Sequence, residues 1–548
     1  MMMDNIGVLP RTWCNAKISE ITSVNPTIDK AGIPDDLDIS FVPMPAVQAE
    51  SGIIDVSGKR KFLEVKKGYT PFLEGDVLFA KITPCMENGK MAVVPEVRNG
   101  IGFGSTEFHV LRAFSGVIAK YVYYYVSSQA FRREAEHNMS GAVGQRRVTT
   151  PFLSACEVPL PPTNEQHRIV AKIEELFSEL DKGIENLKTA QAQLKVYRQA
   201  LLKHAFEGKL TAQWRAERYV TPAKAGVQPL NDMDSRLRGN DSMGGGNDRR
   251  VETAEALLKR IQQERAQRFQ QQLAAWEAVG KQGSKPKTPK TLEPLTAEEL
   301  AELPELPEGW GWTRLASIVT VISGYAFKSG DFVSAGVPVV KIANVGYSEF
   351  VDKDQEYLDS FFLQTHKDFL VSPDDFLLAL TRPITNNRTK VCRYPKDAPL
   401  ALLNQRVSAM KKAEVNPEFL YSYFGTSLFK ESIRSKFSET LQPNLSPKDL
   451  EACPIPICAL TEQEQIFCEI ESRLSEVDQL DQTITTSLQQ AEALRQSILK
   501  KAFSGQLVEQ DPHDEPASAL LARIKAERAV GAKNAHTAAK PRKTAGRK

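Results

Sequence analysis

The chain has 548 residues, 41% of them hydrophobic, so it contains enough apolar material for several packed domains and is not disordered as a whole. Its 70 basic and 68 acidic residues leave a net charge of +2, which excludes a polycationic protein and leaves any nucleic-acid contact to local patches. The seven cysteines are scattered and lack the spacing of a zinc site, which predicts reduced thiols in a cytoplasmic protein. The sequence has no apolar run of about 18 residues and no basic segment followed by an apolar one at its start, so we expect a protein that does not enter a membrane.

The chain repeats itself at an offset of 297 residues. The segment EQHRIVAKIEELFSELDK from Glu165 matches EQEQIFCEIESRLSEVDQ from Glu462, and LPRTW at Leu9 matches LPEGW at Leu306. Over Glu165–Leu210, 18 of 46 positions are identical to the residue 297 further on, where chance predicts about three. We therefore expect two copies of one unit, with an internal pseudo-twofold repeat.

Residues 1–160 and 306–456 are predicted to form two mixed α/β (α+β) domains. Short β-rich runs such as DVLFAKI alternate there with Gly, Pro and Asn turns. The run of tyrosines at 121 and 123–125 is compatible with stacking on bases, but core packing is favoured because the second copy has Phe419, Leu420, Tyr421, Tyr423 and Phe424 in its place.

Heptad patterns follow each domain, in spacer helix regions at 161–280 and 457–530. Apolar residues recur every seven positions from Ile173 to Leu201 and from Ile470 to Ile498, and Ile169, Leu176, Ala190 and Tyr197 fill the alternate seam positions of the first helix. A helix of about 40 residues is roughly 60 Å long and too long to pack on one domain alone. We expect the two helices to form an antiparallel intramolecular coiled coil with the domains at opposite ends; the alternative is that each helix packs separately within its own domain.

Three other segments interrupt or extend the repeat. The first copy carries 34 extra residues, since ETAEALLKRIQQERA from Glu252 matches EPASALLARIKAERA from Glu515 at an offset of 263, and a Gly- and Asn-rich insertion near 220–250 is predicted to be disordered. Residues 281–305 are rich in proline and predict a linker. Residues 531–548 predict a disordered basic tail that either touches phosphates or only aids solubility.

Motifs for catalysis are absent or weak. Pro34-Asp35 followed by Glu64-Val65-Lys66 has the residue order of a magnesium nuclease site, but the second copy lacks the matching acid and lysine. No segment resembles the Asn/Asp-Pro-Pro-Tyr motif of adenine methyltransferases, and the histidines have no metal spacing. The sequence thus predicts a chain without a catalytic or metal site of its own.

The two domains, each followed by a heptad helix that begins PLPPTNEQ or PICALTEQ and ends AFEGKL or AFSGQL, resemble the specificity subunit of type I restriction-modification systems. The resemblance implies that each domain recognises half of a bipartite double-stranded DNA target and that the helices hold two methyltransferase subunits. It also implies that restriction subunits join through the complex and that S-adenosylmethionine, ATP and Mg²⁺ belong to those partners, not to this chain.

Base reading requires polar side chains at groove edges, because phosphate contacts carry no sequence information. Two such modules on a stiff spacer would specify half-sites about 10 bp apart. The candidate DNA-binding residues lie in turns beside strands: Lys81, Thr83, Asn88, Lys90, Gln145, Arg146 and Arg147 in the first copy, and Arg382, Thr385, Asn386, Asn387, Arg388, Lys390, Gln442 and Asn444 in the second. Asn386 and Asn387 can equally serve as turn formers with positive φ.

The repeated helix ends give a candidate partner-docking surface. Its residues are Glu165, Gln166, Ala205, Phe206, Glu462, Gln463, Ala502 and Phe503. They either present two copies of one surface to two identical partners or only cap and pack the helix ends. Two further alternatives for the whole chain remain at this point: a coiled-coil scaffold that joins two protein-binding domains, and a magnesium-dependent nuclease.

Overall fold

The computed structural model describes residues 9–142, 144–218, 251–281, 285–437 and 443–538, with only the backbone from 531 onward. The chain forms two compact units, one made of residues up to Thr189 together with those from Ile484, the other of Ala190–Thr483. Each unit contains one mixed α/β domain and one segment of each of two long helices.

The first domain is built on two four-stranded sheets. Its strands are β1 (Cys14–Lys17), β2 (Thr22–Val24), β3 (Asp38–Val42), β4 (Lys59–Lys61), β5 (Thr70–Leu73), β6 (Val77–Ala80), β7 (Met91–Val93), β8 (Ile101–Gly104), β9 (Phe108–Ala113) and β10 (Glu157–Leu160). Its helices are α1 (Ile18–Ile21), α2 (Phe62–Val65), α3 (Ala119–Ser127), α4 (Gln129–His137) and α5 (Thr150–Ala155). The sheet orders are β2-β9-β6-β7 and β4-β3-β8-β5, and β1 pairs with β10.

The apolar strand β6 lies in the centre of the first domain. All four of its side chains are fully buried, as expected for a short continuous apolar run that is covered on both faces. Helix α3 packs against this sheet and buries Tyr121 and Tyr125. The Tyr121 hydroxyl donates to the Pro159 carbonyl, so the prediction of core packing for the tyrosine run is confirmed.

In the described residues, four α-helices lie between the first domain and the second. They are α6 (Thr163–Phe206), α7 (Ala212–Arg218), α8 (Ala254–Ala278) and α9 (Ala297–Ala301). After three prolines α6 begins at Thr163, whose hydroxyl donates to the Gly116 carbonyl at 2.8 Å. The helix stops before Gly208, whose φ of 69° is a left-handed value that glycine accommodates readily.

The second domain repeats the first. Its strands are β11 (Gly311–Arg314), β12 (Thr320–Ser323), β13 (Phe332–Val333), β14 (Val337–Val340), β15 (Glu356–Leu358), β16 (Leu370–Val371), β17 (Phe376–Ala379), β18 (Ile384–Thr385), β19 (Arg388–Thr389), β20 (Val391–Arg393), β21 (Ala401–Leu403), β22 (Val407–Lys411) and β23 (Pro454–Ile457). Its helices are α10 (Phe361–Thr365), α11 (Pro417–Phe424), α12 (Ser427–Arg434) and α13 (Pro447–Glu451). The sheet β12-β22-β17-β20 corresponds to β2-β9-β6-β7, and β11 pairs with β23 as β1 pairs with β10.

The second domain also differs from the first in two places. Its other sheet has five strands in the order β13-β15-β14-β21-β16, and β18 pairs with β19 in a short hairpin that has no counterpart among the described strands of the first domain.

The chain ends with α14 (Leu460–Phe503) and α15 (Ala517–Ala538). Helices α6 and α14 each have 44 residues and begin and end 297 residues apart, so the offset found in the sequence holds for the whole helix. The seam residues Ile173, Leu201, Ile470, Val477 and Ile498 are buried, as the heptad pattern predicts.

The long helices run antiparallel within each unit. In the second unit Gln191 Nε2 donates to Asp481 Oδ1 at 3.1 Å and Arg198 pairs with Asp478, so residue numbers rise along one helix as they fall along the other. In the first unit Arg495 pairs with Asp181 and its guanidinium lies 4.4 Å from the Phe177 ring centroid. The predicted coiled-coil pairing is confirmed in each unit. One seam prediction is wrong, since Tyr197 is 43% exposed.

Helices α8 and α15 contain the two segments that match at an offset of 263 residues. In the second unit α8 buries Ala254, Leu257 and Ile261, and in the first unit α15 buries Ala517, Leu520 and Ile524 at the matching positions. The Ala254 amide donates to Gly309 O at 2.8 Å and the Ala517 amide to Thr12 O at 2.9 Å. Each of these helices thus packs on the domain of the other sequence copy.

Three predicted segments have different outcomes. The predicted linker 281–305 contains α9, and Arg314 holds part of it through hydrogen bonds to the Glu293 and Pro294 carbonyls. The predicted tail is helical as far as Ala538, since the alanine-rich sequence favours helix; 539–548 lie outside the described residues. The insertion at 220–250 lies outside them as well.

The predicted fold class is confirmed, with two mixed α/β domains and paired long helices. No helix in the described part of the chain is both long and apolar enough to cross a membrane.

Candidate nucleic-acid interface and helix ends

In the first domain, two loops distant in sequence form one surface. The Thr83 amide donates to Arg146 O at 3.0 Å, and the Val148 amide donates to Lys81 O at 2.8 Å. These bonds place residues 81–90, which follow β6, beside residues 145–147, which precede α5. The two groups of candidate DNA-binding residues of this domain therefore lie together.

The second domain repeats this arrangement. The Arg382 amide donates to Pro443 O at 2.8 Å and the Leu445 amide donates to Leu380 O at 2.8 Å. The partner positions 443 and 445 are 146 and 148 plus 297, so both copies join the same two loops. Asn444 is exposed beside the loop, whereas Gln442 lies outside the described residues.

The side chains of the first surface differ in availability. Asn88 and Gln145 are exposed, whereas Lys81, Thr83, Lys90 and Arg146 are partly covered. The Thr83 hydroxyl donates to Arg146 O at 3.2 Å and Lys90 Nζ donates to Met44 O at 3.4 Å. Asn88 and Gln145 therefore have the most freedom to meet another molecule.

Arg147 is committed within the chain. Its Nε and Nη2 each donate at 2.9 Å to an oxygen of Glu107, and this bidentate pair lowers the pKa of the Glu107 carboxyl. A guanidinium held this way is not free for a bidentate contact with a guanine base.

In the second domain four of the candidate residues, Thr385, Asn386, Asn387 and Arg388, belong to the β18–β19 hairpin, and Arg382 and Lys390 flank it. Asn386 and Asn387 form its two-residue tip with φ of 51° and 57°, so both have the turn-forming role while their side chains remain exposed. Arg382 and Arg388 are exposed, and Thr385 and Lys390 are partly covered. The Arg388 guanidinium lies 4.9 Å from the Tyr347 ring centroid.

Two buried cations that the sequence analysis missed support these loops. Arg132 of α4 is 8% exposed and donates through Nη1 to Glu87 O at 2.7 Å. Lys430 of α12 is 3% exposed and donates through Nζ to Asn387 O at 3.3 Å, and burial lowers the pKa of Lys430. The sequence gives little sign of these roles, because a basic residue on a short helix is ordinarily solvated.

Further along α12, Arg434 Nη2 donates to Asn387 Oδ1 at 2.8 Å. The hairpin tip is therefore attached to α12 through the Asn387 side chain as well as its carbonyl.

The two helix starts share a tryptophan–glutamate hydrogen bond and a buried glutamine. Trp13 Nε1 donates to Glu165 Oε2 at 2.9 Å, and Trp310 Nε1 donates to Glu462 Oε2 at 3.1 Å. Burial raises the pKa of both carboxyls.

The glutamines bridge each helix start to its own domain. Gln166 Nε2 donates to Pro161 O at 3.0 Å while its Oε1 accepts from the Ile118 amide at 2.9 Å. Gln463 Nε2 donates to Cys458 O at 2.7 Å and its Oε1 accepts from the Asn416 amide at 2.9 Å. Both side chains are fully buried.

The helix ends are buried too, each on the domain of the other copy. The Phe206 ring lies 4.8 Å from that of Phe419, and the Phe503 ring lies 5.4 Å from that of Tyr121. The neighbouring Ala205 and Ala502 are fully buried.

These contacts correct the docking hypothesis. Glu165, Gln166, Ala205, Phe206, Glu462, Gln463, Ala502 and Phe503 are all at most 8% exposed, so their side chains cannot form an open surface. The packing alternative accounts for their repetition. Their polar atoms and rings are used to join helices and domains.

The nuclease alternative finds no support. Lys66 Nζ pairs with Asp35 Oδ1 at 2.8 Å in an exposed contact, and within the described ranges no cluster of His, Cys, Asp and Glu side chains could hold a metal ion.

Comparison with known proteins identifies the family. The family model for the type I restriction modification DNA specificity domain matches residues 10–189 and 307–493, more than half of the chain. The chain belongs to this family. The EcoAI specificity subunit of Escherichia coli is 32% identical over 494 residues, which cover 88% of this chain and 80% of that protein. The EcoEI specificity subunit of the same organism is 28% identical over 515 residues, or 90% and 83% of the two chains.

Solved structures agree at the level of the fold. The HsdS subunit of Thermoanaerobacter tengcongensis has a TM-score of 0.54 at 19% identity, covering 92% of this chain and all of that one. A chain from a structural study of type I R-M assembly and conformational transition has a TM-score of 0.61 at 18% identity and covers 91% of this chain. This type I specificity subunit is a DNA sequence-recognition subunit, and membership in the family supports a non-catalytic role.

Proposed function

We propose that each domain of this specificity subunit reads one half of a bipartite, asymmetric target in duplex DNA. The observation that carries the proposal is the repeated pairing of two loops, joined through Thr83 and Arg146 in one domain and through Arg382 and Pro443 in the other. Both surfaces expose amide side chains, which suit adenine, whereas the side chains themselves differ between the copies. Because the two domains pair the same loops but expose different side chains on them, we expect two different half-sites.

The long helices set the separation of the half-sites in this proposal. Their identical length of 44 residues corresponds to about 66 Å of helix, and their seams are apolar in both copies. We expect half-site centres about one turn of DNA, roughly 10 bp, apart.

Two methyltransferase subunits dock on the helices at exposed positions, because the repeated helix ends are buried. Tyr197 and Leu494 occupy equivalent positions at the offset of 297 and are 43% and 51% exposed. Large exposed apolar side chains at matching positions suit two copies of one partner. Leu480 and Val196 of the second unit are also large exposed apolar side chains, 52% and 70% exposed.

Restriction subunits join this assembly in the cytoplasm, and the partners supply adenine methylation and ATP-dependent cleavage together with S-adenosylmethionine, ATP and Mg²⁺. This chain contributes DNA recognition and needs no cofactor of its own.

Selection from random duplexes by the complex of this chain with its methyltransferase tests the function. We expect a motif with two specified half-sites and an unspecified spacer. A single continuous motif would contradict the bipartite proposal, and the absence of any motif would favour the protein-binding scaffold. Substitution of Asn88 and Gln145 by alanine should relax one half-site only, whereas the same change at Asn386 and Asn444 should relax the other.

A further inference from the structure

The second unit contains a basic cavity outside the reading loops. Its volume is about 340 Å³, and its walls come from α8, the linker segment 287–290 and β12. The charged residues in its lining are Arg265, Arg268, Lys287, Lys290, Lys412, Glu414 and Glu451. None of the candidate DNA-binding residues lines it.

The acidic side chains of the cavity are already engaged. Glu414 Oε1 lies 3.4 Å from Arg265 Nε and 3.1 Å from Arg268 Nη1, and Glu451 pairs with Lys290. Lys287 pairs with Asp368, which is 63% exposed, so solvent screens that contact. Lys412 is exposed and has no ion-pair partner in the part of the chain that the structure describes. The cavity therefore has an excess of positive charge.

Arg265 is the least satisfied of these cations. Its Nη1 donates to Ala316 O at 2.8 Å, but its Nη2 is buried and has no hydrogen-bond partner. Burial lowers the pKa of Arg265, because one shared carboxylate compensates only part of the desolvated charge. A buried guanidinium N–H without an acceptor is costly, and an anionic oxygen in the cavity would satisfy it.

We propose that this cavity binds a phosphate group through Arg265, Arg268 and Lys412. The group would belong either to the backbone of duplex DNA or to a free polyphosphate, since the guanidinium and ammonium donors suit both. Arg265 and Lys412 both line the cavity, and the oxygens of one phosphate would accept from both. The inference adds a site to the proposed function and does not depend on base reading by the loops.

The first copy supplies a matched control. Arg528 is the counterpart of Arg265 at offset 263, and its Nη1 donates at 3.0 Å to Ser19 O, the counterpart of Ala316 O. The Arg528 guanidinium lies over the Phe114 ring at 4.9 Å. Both arginines make the same structural bond, but only Arg265 lines the cavity.

Calorimetric titration of the full-length protein with pyrophosphate tests the proposal. We expect saturable binding that Arg265→Gln weakens about tenfold or more, and that Lys412→Gln weakens severalfold. Arg528→Gln should bind as the unsubstituted protein does. Because Lys412 is exposed, its variant leaves the fold intact even if Arg265→Gln does not. The proposal is overturned if pyrophosphate does not saturate, if Lys412→Gln binds normally, or if Arg528→Gln loses as much affinity as Arg265→Gln.

A second measurement identifies the source of the phosphate. If it is the DNA backbone, Lys412→Gln should lower the slope of log affinity for nonspecific duplex against log salt by about 0.9, and pyrophosphate should compete with the duplex. An unchanged slope with intact pyrophosphate binding assigns the cavity to a free polyphosphate. Either result supports the phosphate site. If the proposal of a bipartite target is wrong, selection from random duplexes will give no two-part motif, but pyrophosphate will still bind.

Discussion

Trp13 Nε1 donates a 2.9 Å hydrogen bond to Glu165 Oε2, joining the start of the first domain to the start of its helix. The Trp310–Glu462 pair repeats the bond 297 residues further on. The remaining oxygens have different partners: Glu165 Oε1 accepts from Gln510 Nε2, whereas Glu462 Oε1 accepts from Thr211 and pairs with Arg215 Nη1 at 3.0 Å. The two copies thus share one bond and complete its surroundings differently.

Replacement of Trp13 by phenylalanine should lower the free energy of unfolding by about 1–3 kcal/mol, because a buried carboxylate oxygen loses its donor. The effect is measured by urea denaturation, as the free energy of the transition in which the first domain unfolds. Trp312→Phe is the control: its Nε1 donates at 3.1 Å to the neutral Pro304 carbonyl on a partly exposed site, so its loss should cost less. If both variants lose the same free energy of unfolding, the bond to the carboxylate stabilises the fold no more than the bond to the carbonyl.

The buried glutamates predict a characteristic pH dependence. Burial raises the folded-state pKa of Glu165 above its unfolded value near 4.5, so its contribution to stability is complete below that value and is lost as pH rises through the folded pKa. We therefore compare the free energy of unfolding of the unsubstituted protein with that of Glu165→Gln. The difference, unsubstituted minus variant, should fall as pH increases from about 4.5 towards neutrality. Urea midpoints of both proteins across this range provide the measurement. A difference that rises with pH would show that the carboxyl pKa is lowered instead.

Arg132 is expected to act as a positioning residue for the first reading surface. Arg132→Leu removes the 2.7 Å bond to Glu87 O and should reduce discrimination against substitutions in one half-site by about tenfold, with the other half-site unchanged. Binding to duplexes altered in either half measures this. Arg133→Leu, at an exposed neighbouring position, is the matched control. Equal loss at both half-sites would assign Arg132 a general structural role.

The helix lengths predict the spacer of the target. Deletion of Leu187–Gln193 together with Ile484–Gln490, one heptad at equivalent positions of each helix, keeps the seam periodicity and shortens the pair by about 10 Å. The preferred spacer should change by roughly three base pairs, since base pairs are about 3.4 Å apart. A methylation assay on a series of spacer lengths measures it. An unchanged optimum in a protein that still binds its methyltransferase would contradict the proposal that the helices set the spacing.

Much of the architecture followed from repetition. The heptad patterns 297 residues apart predict two long helices of about 40 residues, and each has 44, because a heptad seam constrains every turn of a helix and leaves a pattern in the sequence. The repeated unit also predicts two mixed α/β domains and carries the resemblance to the family. The candidate loops were found from turn chemistry beside strands, and Asn386 and Asn387 have the positive φ values that their residue type allows.

The sequence by itself thus determined the repeat, the approximate lengths of the long helices and the loop positions, all of which depend on local periodicity or turn propensity. Tertiary structure decided which copy packs on which domain and which polar groups remain available. Helix α8 lies on the second domain and α15 on the first, a choice that depends on contacts between distant segments. The same long-range packing buries Glu165 and Phe206 and engages Arg147 with Glu107, whereas residue type and spacing predicted all three as contacts for other molecules.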